Sequence, residues 1–220
     1  MRLTRLPMVR AATPQPFSNL HLTTVPLNQD TLLHRVHLPQ YAADEFNPGK
    51  KGNARFSPIV DKSGKPIPTL YAGDTMACAL METVFHDVPY TAGLKTFSKS
   101  KLTDQVHSVL RVDATLQLVD LSSVALRKLG LTRKQLIDTE KYQYPATRRW
   151  AAAIHAADPT IQGLTWMSRQ DDTSRALILF GDRIGPGSLG SCRESRALLE
   201  EHAYDEVLNL AGRLGVNLVP

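Results

Sequence analysis

The order of the local patterns constrains this chain more than any other feature. Strand-like and helix-like segments are mixed, with no regular strand–helix–strand alternation. Thr31-Leu-Leu-His-Arg-Val-His37 alternates as a strand does, and Pro39 ends it. A turn follows at Asn47-Pro48-Gly49, and another between Asp61 and Pro66. Thr69-Leu-Tyr-Ala72 reads as a short strand, and Asp74 or Thr75 can cap a helix running to about His86. Residues 107–113 and 116–121 read as two strands joined by a tight Asp113-Ala114 turn. Short helices are expected at 122–129 and 132–138. Pro145 suits the first turn of a helix reaching about Ala157. Residues 161–167 and 175–184 are strand-like, 185–190 form a Gly-rich loop, and Ser195 to Leu214 is a final amphipathic helix. This mixture favours an α+β fold over a doubly wound one. No GxGxxG follows a strand, so a Rossmann nucleotide site has no support.

Residues 1–30 carry Pro7, Pro14, Pro16 and Pro26 and little periodicity, so they read as an irregular N-terminal arm that wraps the domain or a partner. Residues 31–220 then form the domain itself, large enough to bury a core without staples. Cys78 and Cys192 do not make a disulfide framework, and two reduced thiols in a cytoplasmic protein are expected. No apolar run approaches the ~20 residues of a membrane helix. Residues 1–10 carry three arginines but no apolar region of a secretory signal. The net charge is +5, yet the basic residues are scattered, with local groups only at Lys50-Lys51 and Arg148-Arg149. No helix-turn-helix or zinc-finger spacing accompanies them, so direct DNA binding is not expected. A modest positive field draws in an anionic dinucleotide or an acidic partner equally well.

In the helix after Tyr71, Ala77, Leu80, Met81, Val84 and Phe85 form one apolar stripe. At ~100° per residue, Glu82 points roughly 130° away from it, toward solvent or a cleft. Around Glu82 stands a longer string: Arg55-Phe-Ser-Pro, then Pro68-Thr-Leu-Tyr71-Ala-Gly, then Ala79-Leu-Met-Glu82. Later come Gly163-Leu-Thr-Trp-Met-Ser168-Arg169 and Arg175-Ala-Leu-Ile-Leu-Phe180. In this order and spacing the string resembles the RES domain, a family named for an arginine, a glutamate and a serine. The likeness covers about residues 31–184.

The resemblance implies a single mixed domain similar to the ADP-ribosyltransferase fold. It implies action on NAD as substrate without a metal. The nicotinamide bond is cleaved by water or phosphate, or ADP-ribose is transferred to a protein. It also implies a bacterial toxin that forms a hetero-oligomer with a cognate antitoxin carrying an Xre-type helix-turn-helix, the antitoxin being the DNA-binding half.

The residue types suit that chemistry. Nicotinamide leaves as a pyridinium through an oxocarbenium-like transition state, which a carboxylate beside the sugar stabilises. By the resemblance Glu82 takes this role. Arg55 and Arg35 suit the two phosphates, because guanidinium forks pair bidentately with phosphate oxygens. Tyr71 offers a ring face to nicotinamide. Ser168 is the family serine, placed to hydrogen-bond ribose or phosphate, and Arg169 can assist a phosphate. His86, one turn after Glu82, is read as a bystander. The loop before Arg55 is Gly52-Asn53-Ala54 where the family often has Gly-Gly or Ser-Gly. Two other readings share the sequence: protein ADP-ribosylation at the same site, and a non-catalytic binding module with a basic face.

Overall fold

The computed structural model describes residues 12–49 and 51–220; the first part of the N-terminal arm and Lys50 lie outside the described residues. The strands run β1 (Thr24–Leu27), β2 (Leu32–His37), β3 (Ile59–Val60), β4 (Pro66–Ile67), β5 (Thr69–Gly73), β6 (Lys95–Ser98), β7 (Val106–Val112), β8 (Leu116–Asp120), β9 (Gly163–Met167), β10 (Arg175–Phe180), β11 (Leu189–Ser191), β12 (Arg196–Ala197) and β13 (Val216–Val219). The α-helices are α1 (Met76–Glu82), α2 (Ser123–Lys128), α3 (Arg133–Leu136), α4 (Tyr144–Ala157) and α5 (Glu201–Arg213). One curled sheet dominates, ordered β1-β8-β9-β10-β5-β2-β7-β11, with β12 also on β7. Its pairs are antiparallel except β8 with β9. The fold is α+β.

Strand β10 shows why the sheet can be buried on both faces. Successive strand side chains point to opposite faces. Ala176, Ile178 and Phe180 therefore enter one core with Phe56, Trp166 and the helix residues Trp150 and Ile154. Leu177 and Leu179 enter a second core inside the curl, with Leu33, Leu70, Leu110 and Leu118. A third core joins Leu80, Met81 and Phe85 to Val207 and Leu210 of α5. That third core absorbs the apolar stripe predicted for the helix after Tyr71.

Several expectations need correction. Strands β7 and β8 do not form a hairpin, although only three residues separate them. Strand β7 pairs with β2, and β8 with β1 and β9, because the curl lets the chain cross to the far end of the sheet. Leu110 and Val112 still meet Leu116 and Leu118 in one core. The last helix starts at Glu201, since β12 takes up Arg196 and Ala197. The described part of the arm is not wholly irregular: Thr24–Leu27 forms an edge strand on β8.

Upstream of it the arm wraps its own domain. Trp150 Nε1 donates to the Pro14 carbonyl at 2.8 Å, and Phe17 meets the Trp150 ring edge-on at 6.1 Å. Thr13 Oγ1 donates to the Gln135 carbonyl at 2.6 Å, and Leu20 and Leu22 pack on the first core. Trp150 is fully buried. Trp150→Ala is expected to cost about 3–5 kcal/mol and to free residues 12–23, read as a lower urea midpoint and faster proteolysis within that segment.

Candidate active site

Strands β2 and β5 touch through one register pair, His34 with Gly73. Beyond that pair they diverge, and a cleft of about 450 Å³ is lined by residues of both, of α1 and of the loop before β3. This volume suits a small-molecule site. Its lining includes Arg35, Arg55, Tyr71, Glu82, Tyr144 and Trp166.

Helix α1 brings Glu82 to the cleft. Thr75 caps it, its side chain accepting from the Cys78 amide at 3.0 Å. The helix ends at Glu82, four residues before the expected His86. Thr83 stops it: its Oγ1 donates back to the Ala79 carbonyl, a side-chain bond that competes with the helical ladder. Glu82 is therefore the last helical residue, half-buried at the cleft wall. The neighbouring Cys78 thiol is pushed up by burial, then by Glu82 and Asp74, so it stays protonated and is a poor nucleophile.

Ser168 meets Glu82 and not the cleft. It is fully buried and does not line the cleft, so the structure places it behind Glu82, away from the expected position beside ribose or phosphate. Its Oγ donates to Glu82 Oε1 at 2.6 Å and accepts from the amides of Gln170 and Asp171, each at 3.0 Å. The serine thus fixes one carboxylate oxygen from behind.

Arg55 sits in a loop clamped on three sides. Thr147 Oγ1 donates to the Arg55 carbonyl, the Phe56 amide donates to Tyr71 Oη at 3.0 Å, and the Ala54 amide donates to the Ser57 carbonyl at 3.0 Å. Arg55 is 5% exposed, and its Nε is buried without a hydrogen-bond partner. Its guanidinium carbon lies 5.9 Å from the centre of the Tyr144 ring. No carboxylate or carbonyl among the described residues accepts from its Nε.

The other arginines are differently occupied. Arg35 lines the cleft, but its Nη1 donates to the carbonyls of Ala42, Ala43 and Glu45, tying down the loop after β2. Burial holds its guanidinium below the usual arginine range. Arg169, the expected helper at a phosphate, lies outside the cleft lining. Its Nη1 donates to the Thr139 carbonyl at 2.6 Å and its Nη2 faces Glu140 at 3.4 Å.

Tyr71 lines the cleft with its hydroxyl turned to the Phe56 amide. Burial pushes its phenol up to about 12, so it stays neutral. Its ring meets Trp166 edge-on at 6.4 Å. His86 also lines the cleft, but its Nδ1 is held by Asp87 at 2.8 Å. Tyr144, Trp166 and His34 went unnoticed in the sequence. Tyr144 directly precedes Pro145, and Trp166 stands two residues before Ser168, so each lay beside a recognised signal.

The RES domain family matches residues 32–192, well over half of the chain. The chain belongs to the RES-domain family. A search of curated proteins finds no match. At family level, RES membership supports an enzyme with a toxin–antitoxin-type, NAD-related function, associated with an antitoxin partner. Among the described residues of this RES protein, no helix is long and apolar enough to cross a membrane, and no three His, Cys, Asp or Glu side chains gather to hold a metal ion.

Proposed function

We propose that this RES-domain chain cleaves the nicotinamide–ribose bond of NAD, with water or phosphate as acceptor, and is the toxin of a toxin–antitoxin pair. Arg55 carries this reading. A guanidinium that is nearly buried and lacks an anionic partner is costly, and it is stabilised when an anion enters beside it. The pyrophosphate of NAD is such an anion, and a guanidinium fork fits its oxygens.

Glu82 shares the cleft with Arg55 and is held by Ser168. Its carboxylate is fixed where a cationic sugar can be stabilised without reorganisation at the moment of reaction. Tyr71 and Trp166 supply aromatic walls for a planar base. Arg35 shapes the same cleft by holding the loop after β2. No step in this chemistry requires a metal, because nicotinamide leaves carrying the bond pair.

The cognate partner is an antitoxin with an Xre-type helix-turn-helix, which restrains the toxin by covering the cleft. The purified chain is expected to release nicotinamide from NAD, with or without added phosphate, as measured by chromatography. Absence of release under both conditions overturns the reading. Label from NAD appearing on a protein band in lysate moves it to ADP-ribosyl transfer.

A further inference from the structure

His34 and His107 are diagonal neighbours on one face of the paired strands β2 and β7, His34 opposite Val109 and His107 opposite Val36. Their rings lie nearly parallel, at 9°, with centroids 5.1 Å apart. His34 Nδ1 is 2.9 Å from His107 Nε2. Two neutral imidazoles make that contact only when one donates and the other accepts. His107 is buried, whereas His34 is half-buried and lines the cleft. With Nδ1 committed to His107, Nε2 is the nitrogen left for a molecule in the cleft, and no described residue hydrogen-bonds it.

His34 lines the same cleft as Glu82, on the strand facing α1. Its register partner is Gly73, and a Cβ on Gly73 would come within 2.9 Å of Cys78. Glu82 follows Cys78 by one helical turn on the same face.

We propose that His34 is the general base that activates water as the acceptor, with His107 as the residue that holds its tautomer. The proposal rests on the NAD-cleavage reading. The productive tautomer has Nδ1–H donating to His107 Nε2, which leaves a lone pair on Nε2. The water oxygen bonds to ribose C1′ as the C1′–N bond breaks. The bond pair leaves on the nicotinamide nitrogen and neutralises it. The water proton passes to His34 Nε2 and later to solvent. Held by the contact with His107, the ring keeps its orientation while charged. Phosphate as acceptor is already an anion and has no need of this base.

The surroundings keep the pair neutral at pH 7. Burial and then Arg193 hold His34 below the ordinary imidazole value of 6.5, opposed by Asp74. Burial, His34, Arg193, Arg196 and His37 together push His107 down to about 4. Cys78 and Glu82 are the titratable groups that α1 contributes to this part of the cleft. A base must be unprotonated to act. The wild-type hydrolysis rate is therefore expected to fall as pH drops through the folded value of His34, below 6.5.

The test is steady-state hydrolysis of NAD by the wild type, His34→Gln and His107→Gln across the acid-to-neutral range. His34→Gln is expected to lose about 10²–10⁴-fold in kcat, with KM little changed and the acid limb gone. His107→Gln should lose less in kcat, again without a KM change. Binding of a non-cleavable carba analogue of NAD to His34→Gln checks that fold and site survive. A His34→Gln protein with wild-type kcat and pH profile, or one changed in KM alone, overturns the proposal. A wild type that cleaves no NAD overturns the parent reading instead, and is told apart by the wild type alone.

Discussion

Replacing Glu82 with Gln is expected to slow NAD cleavage by about 10²–10⁴-fold, some 3–5 kcal/mol of transition-state stabilisation. Gln keeps the size of the side chain and an oxygen for Ser168, and removes only the charge. Melting temperature should therefore hardly move, while kcat collapses. Ser168→Ala gives the contrasting result. It removes the 2.6 Å bond to Glu82 and strips the Gln170 and Asp171 amides of their acceptor. Each unsatisfied buried donor costs about 1–3 kcal/mol, so stability falls together with kcat. KM should stay near the wild-type value, because the hydroxyl is buried behind the carboxylate. A Ser168→Ala enzyme with raised KM, unchanged kcat and unchanged melting temperature would sink the positioning role.

Ser168 also shows where sequence reading stops. Its identity and order in the string were legible through the resemblance to the RES family, whose serine stands at this point of the string. Its target was not, because the bond spans 86 residues of sequence. The start of α1 was legible for a local reason: Thr75 caps through its own side chain. The end of α1 was missed because Thr83 back-bonding competes with an apolar pattern that runs on to Phe85. Strands β7 and β8 were recognisable by alternation, but their partners were set by the curl of the sheet. Strands β6 and β13 escaped altogether, being four residues each and paired in parallel with one another from distant parts of the chain. Among the arginines, the string marked Arg55, yet burial without a partner is a property only the assembled cleft displays. Arg35 and Arg169 look alike in sequence and differ in what their nitrogens already hold.

Arg55→Leu is expected to stabilise the free protein while removing most of its activity. The native guanidinium lies over the Tyr144 ring with no acceptor for its buried Nε. Leucine fills a similar apolar space and removes the uncompensated charge, and replacing buried charge by a hydrophobic side chain is often stabilising. The lost cation–π contact offsets about 0.5–1 kcal/mol. The net gain should be about 1–2 kcal/mol, or roughly 3–6 °C in Tm for a chain of this size. The backbone clamp on residue 55 survives, since Thr147 bonds the carbonyl and not the side chain. Affinity for a carba analogue of NAD should fall at least tenfold, because a buried charge-assisted bond to phosphate contributes about 1.5–3 kcal/mol. A wild-type protein saturated with the analogue should gain in Tm, and the Arg55→Leu protein should gain little. Differential scanning calorimetry of both proteins, free and with analogue, reads all four values. If the leucine variant melts lower than the wild type and still responds fully to the analogue, Arg55 is a structural cation, and the anion site must be sought elsewhere in the cleft.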